Sequence, residues 1–211
     1  MKTTSAKSLF SEAELEQIRL AVVAAESATS GEIVPMVVAR SDSYREAEAL
    51  GGVLLSGLIA LVCALLIRHE TVWTYIPLVF LLYIPSRLLF QRYPSLKLPF
   101  AGRERIAEAV QERAVRAFYE KGLYRTRGEN GVLVFISLLE RKVWILADRG
   151  IHRKLPHDDW QSLAAEVSAG IRDGRACAAL CGVIARCGAI LAEHFPKGAD
   201  DQNELPDDLI Q

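Results

Sequence analysis

Two uninterrupted apolar runs stand out in the pattern of the chain. Ala49–Ile67 reads ALGGVLLSGLIALVCALLI without a single charge. It lacks the polar stripe that a surface helix keeps at three-to-four-residue spacing. A bilayer core of about 30 Å takes about 20 helical residues, so this run is long enough to cross one. Arg68, His69 and Glu70 follow as a polar turn, and a second run covers Thr71–Phe90 with Arg87 as its one charge. A long arginine stem reaches back toward the headgroups, which leaves the second run long enough to span. Trp73, Tyr75, Tyr83 and Tyr93 suit the membrane interface, and Pro77 and Pro85 predict bends. The pattern predicts a transmembrane helical hairpin over about 49–67 and 71–90.

Lysine and arginine placement sets the expected orientation. Arg40 and Arg45 precede the hairpin, Arg87, Arg92, Lys97, Arg103 and Arg105 close or follow it, and Arg68 is alone in the turn. The positive-inside rule then places both flanks in the cytoplasm of an inner or plasma membrane, with only the 68–70 turn outside.

The flanks alternate between the periods of helix and strand. Ser11-Glu12-Ala13-Glu14 has the spacing of a capping box, and Leu15, Ile18, Val22 and Ala25 continue at helical spacing. Glu32–Arg40 is rich in β-branched residues and reads as a strand, with Pro35 marking an edge or a bulge. Ile106, Val110, Ala114, Ala117 and Phe118 form one stripe of a helix over about 102–121. Gly131–Ser137 and Arg141–Asp148 read as strands, joined so closely by Leu138–Glu140 that they form a hairpin. Helices follow from Asp158 or Asp159 to Ile171 and over Ala176–Phe195. The order predicts a three-layer α/β/α sandwich around a small mixed sheet, made of residues 1–48 and 91–195, with 196–211 as a solvated acidic tail. The crossover from the first strand to the second predicts a parallel pair. Two spans return the chain to one side of the membrane, where the halves of the domain can meet.

Composition sharpens this only a little. A net charge of −1 and a pI near 6.4 give no sign of a nucleic-acid partner. The residues before Ser11 hold no apolar run of signal-peptide length, so the chain reads as one that is not exported. Cys63 lies in the first apolar run, while Cys177, Cys181 and Cys187 share one helix. That pattern fits reduced thiols rather than a disulfide framework. Cys177 and Cys181, one turn apart, read as small buried thiols rather than zinc ligands.

Several segments together resemble the TPM domain family. They are Ser30-Gly31-Glu32-Ile33-Val34-Pro35 after the opening helix, Glu129-Asn130-Gly131-Val132-Leu133-Val134, and Arg141 to Ile151 (RKVWILADRGI). Asn203-Glu204-Leu205-Pro206-Asp207 resembles a membrane-inserted bacterial subgroup. The resemblance spans about 9–48 and 100–195. It implies an α/β/α sandwich, and a role among those described for relatives: acid phosphatase, calcium binding, or repair and assembly of membrane complexes. The usual family form has a signal peptide before the domain and any membrane helix after it, whereas here the apolar runs interrupt the domain.

No phosphate-binding loop, G-x-G-x-x-G, H-E-x-x-H or G-x-S-x-G is present. If the third strand runs antiparallel to the second, Glu129, Asn130 and Asp148 meet at one sheet end. They would offer oxygen ligands to a hard divalent cation such as calcium. The competing reading is turn chemistry at Glu129-Asn130-Gly131 and a strand-end turn at Asp148. Asp42, Asp148 and Arg149, with Ser41, Arg125 and Arg127, are the residues that could serve a metal-assisted phosphatase, although their spacing defines no known constellation. Two functions stay open: an interaction module for assembly or maintenance of membrane complexes, with the bilayer and a membrane protein as partners, and a phosphatase.

Overall fold

The computed structural model describes residues 9–67, 72–153, 158–198 and 203–211. The 68–70 turn, on which the expected orientation depends, lies outside the described residues. The chain divides into two compact units, one of residues 42–108 and one of the remaining described residues.

The second unit is built on the alternation read from its strands. β1 (Glu32–Val38), β2 (Gly131–Ser137) and β3 (Lys142–Ala147) form one sheet in that order. β1 runs parallel to β2 in the register Glu32–Gly131 to Val38–Ser137, and β3 runs antiparallel to β2. Ile33, Val37, Val132, Val134, Ile136, Val143 and Ile145 point to one face. There they bury against Ile18 and Val22 of α1 (Glu12–Glu26), Leu163 and Val167 of α7 (Asp158–Arg172), and Leu180, Ile184 and Leu191 of α8 (Ala176–His194). Val34, Met36, Leu133 and Phe135 point the other way, onto Val110, Ala114, Ala117 and Phe118 of α5 (Arg103–Glu120). The result is the expected α/β sandwich with a small mixed sheet. Each fully buried aliphatic side chain contributes about 1.5–3 kcal/mol over leaving it in water.

Local signals set the helix starts. Ser11 caps α1 with its hydroxyl on Glu14 N–H, and the Glu14 carboxylate accepts from Ser11 N–H at 2.8 Å, which completes the capping box. α8 is long and apolar enough to cross a membrane by composition, yet its stripe of Cys177, Leu180, Ile184, Cys187 and Leu191 is buried in the core. All four cysteines are free. Burial pushes the Cys187 thiol up to about 12, so it stays protonated.

β1 is an edge strand, as Pro35 suggested. The missing N–H of Pro35 costs the sheet no bond, and its carbonyl accepts from Ile210 N–H at 3.0 Å while Val37 N–H donates to Ile210 at 2.8 Å. This corrects the expectation of a solvated tail. Leu205 and Ile210 pack on the core and cover the open edge of the sheet, because three apolar residues among the acids give the segment something to bury.

The first unit carries both apolar runs as helices. α2 covers Arg45–Ile67, four residues earlier than expected, and α3 covers Val72–Arg92 with Pro77 and Pro85 inside it. A short 3-10 turn (Pro94–Lys97) and α4 (Leu98–Ala101) follow. Gly51 lets the two helices touch, since a Cβ there would lie 2.5 Å from the Phe90 ring. Around that seam the large apolar side chains point outward: Leu58, Leu65, Phe80, Leu81 and Ile84 are each exposed. No large exposed apolar residue falls in α8.

The polar groups of this unit gather at the base of the helix pair. The buried Glu48 carboxylate accepts from Lys97 Nζ at 2.7 Å, Gln91 Nε2 at 2.8 Å and Arg87 Nε at 3.0 Å. Lys97 is itself buried and also donates to the Ser43 carbonyl at 3.1 Å.

Candidate functional site

The antiparallel register of β2 and β3 brings the start of one to the end of the other. Val132 lies opposite Ala147, and Asp148 N–H donates to the Gly131 carbonyl at 2.9 Å. Asn130 and Asp148 therefore share one end of the sheet, as the sequence predicts. Ser30 and Glu32 reach the same end, because β1 lies parallel to β2 with Glu32 beside Gly131.

Asn130 is held from three sides. Its N–H donates to Thr126 Oγ1 at 3.2 Å, and its Nδ2 donates to the Ser30 carbonyl at 2.7 Å and to Ser30 Oγ at 3.2 Å. The amide is thus fixed with its Oδ1 buried and without a hydrogen-bond partner among the described residues. Asp148 caps α6 (Arg149–His152) through Oδ1, which accepts from Arg149 N–H at 2.7 Å. Its Oδ2 is likewise buried and without a partner among the described residues. An oxygen left this way costs about 1–3 kcal/mol unless a cation or water meets it.

Glu129 departs from the expected grouping. Its backbone is left-handed (φ 49°), and its half-exposed carboxylate pairs with Arg153 Nη2 at 2.5 Å. Its carbonyl instead joins the site by accepting from Gly150 N–H at 3.0 Å. Gly150 is needed there, since a Cβ would lie 2.6 Å from the Glu129 oxygen and 2.7 Å from that of Gly128. Turn chemistry shapes Glu129, while one oxygen each of Asn130 and Asp148 is buried with no hydrogen-bond partner among the described residues. Those two oxygens fit a hard cation by donor type. Among the described residues, however, no group of three or more histidine, cysteine or acidic side chains is gathered tightly enough to hold a metal.

Two further acids stand near this end of the sheet, and the sequence reading assigned neither a role. Glu32 is buried, and one of its carboxylate oxygens accepts from Glu204 N–H at 3.0 Å. Glu26 accepts from Ile33 N–H at 2.7 Å. Burial first, then the charges of Glu32 and Asp207, push the Glu26 carboxyl up to about 8, against the opposing pull of the Ile33 N–H. The available signal was a pair of glutamates flanking the helix-to-strand turn.

The remaining phosphatase candidates fall elsewhere. Ser41 sits at the opposite, carboxyl end of the parallel pair, with its N–H on Glu140 at 3.0 Å and its hydroxyl on Ser137 at 2.8 Å. Ser137 in turn donates to the buried Glu140 carboxylate. Asp42 belongs to the other unit and takes Arg105 Nη2 at 2.6 Å. Arg125 lies over the Tyr124 ring, and Arg127 pairs with Glu204 at 3.5 Å. Arg149 contributes its N–H to the Asp148 cap.

Residues 102–190 match the family model described as TPM domain. No curated protein matches the chain. Among solved structures, the fold is similar to the NMR structure of the BA42 protein from the psychrophilic bacterium Bizionia argentinensis sp. nov., at a TM-score of 0.58 and 20% identity, covering 95% of this chain and 94% of that one. At that identity the likeness shows the fold alone.

Proposed function

We propose that this chain, whose residues 102–190 match the TPM domain, is held in a membrane by α2 and α3 and serves there as an interaction module for assembly or maintenance of membrane complexes. The observation that carries the reading is the outward apolar surface of the two helices. Leu58 is 60% exposed, Phe80 71% and Trp73 88%, a patch that a water-soluble monomer does not sustain. The charges of the pair are confined to its base around Glu48, where headgroups would lie. A photo-crosslinker at Phe80 in native membranes tests the module. Adducts with one defined membrane protein are expected, and lipid adducts alone would sink the assembly reading. Orientation is tested apart from that, by a cysteine at position 70 in a cysteine-free background. Labelling is expected from the non-cytoplasmic side only.

A metal-assisted phosphatase is the second reading, and one observation favours it: the buried, unpartnered Asn130 Oδ1 and Asp148 Oδ2 at one sheet end. Calcium calorimetry on the full chain in nanodiscs tests this. Saturable binding that Asp148→Asn abolishes, together with phosphate release from a model ester, would establish it. Calcium heats equal in the two proteins would remove it.

A further inference from the structure

The carboxyl end of β2 borders a cavity of about 380 Å³ in the second unit. Ligand pockets run about 300–1,000 Å³, and in open α/β sheets they favour this end of the strands. The end of β2, the start of β3 and the last turns of α7 line it. Its wall divides by chemistry. Leu9, Val143 and Ile171 supply an apolar side, and Arg141, Lys142 and Arg172 supply three cations. None of the three is in an ion pair among the described residues. The acids beside the wall are already held: the Glu140 carboxylate accepts from Ser137 of the wall and from Ser41 N–H, and Asp173 pairs with Arg175. The C-terminus of α7 opposes an anion with about half an elementary charge, which three full cations exceed. Arg141 reaches its position through a left-handed backbone (φ 52°) at the hairpin turn, a conformation that disfavours an ordinary residue.

We propose that this cavity binds a compact anion carried on an apolar chain, of the class of single-chain alkyl phosphates. The two guanidinium forks and Lys142 take the head, and the apolar wall takes the chain. The site is at the other end of the sheet from Asn130 and Asp148. The anion has two sources, a soluble phosphorylated metabolite or a single-chain lipid drawn from the bilayer.

Calorimetry with hexyl phosphate on the full chain in zwitterionic nanodiscs tests the proposal. One-to-one binding is expected, weakening as salt rises. Inorganic phosphate and hexanol should each bind at least about tenfold more weakly, as loss of the chain or of a charge-assisted contact implies. Lys142→Gln with Arg172→Gln, both exposed side chains, should weaken hexyl phosphate about tenfold or more. Circular dichroism checks that this variant folds, and Arg141→Gln alone gives an independent measure. Hexyl phosphate heats unchanged in both variants, or inorganic phosphate binding as tightly, would overturn the site. Nanodiscs carrying lysophosphatidate separate the sources. Competition with hexyl phosphate upholds the site with a bilayer ligand, and undiminished binding upholds it with a soluble one.

Discussion

Glu26 shows how one side chain can make a domain sensitive to pH. Its carboxyl titrates near 4.5 in an unfolded chain and is pushed up to about 8 here by burial and its acidic neighbours. The folded state therefore holds a proton that the unfolded state has released. The stabilisation is fully present below about pH 4.5 and is lost as pH rises through about 8. Chemical denaturation at pH 5 and at pH 8 should find the wild type less stable at the higher value, and Glu26→Gln should flatten the difference. An equal slope in both proteins would assign the dependence elsewhere. Asn130 and Asp148 were legible at this scale, because strand alternation fixes a hairpin register and the register fixes which ends meet. Glu129 was not, since a neighbouring arginine decided where its carboxylate went.

At the scale of elements, the Glu48–Lys97 contact joins α2 to the 3-10 turn that follows α3. Removing one partner of a buried pair costs about 3–5 kcal/mol, and Arg87 and Gln91 still hold Glu48. Lys97→Met should therefore lower stability by about 3 kcal/mol, seen as an earlier thermal transition in detergent. Adding Glu48→Met should recover part of that loss. No recovery would mean that lysine packing, not the charge, was lost. The strands and α1 were readable from period and capping, and both apolar helices from uncharged runs of membrane-spanning length. The Glu48–Lys97 pair joins residues far apart in sequence, and no local pattern announces it. The short α6 was missed for a related reason: four residues carry no period, and only the Asp148 cap marks its start.

At the scale of the molecule, the sheet depends on the C-terminal segment to close its β1 edge. An exposed strand edge is a template for pairing with other chains. Deleting residues 205–211 should lower the thermal transition and produce concentration-dependent self-association in size-exclusion chromatography. A monomer of unchanged stability would show that the segment rests on the edge without protecting it. The segment reads as acidic in sequence, and its few apolar residues matter only once β1 is in place beside them. The same arrangement sets a schedule for synthesis. Both neighbours of β1, the strand β2 and Ile210, are translated after the two apolar helices. At about 5–20 residues per second, β1 waits roughly five to twenty seconds on the ribosome for its first partner. Throughout that wait the nascent chain holds one strand of three, so pausing or damage between residues 39 and 130 leaves a fragment for holdases and proteases to meet.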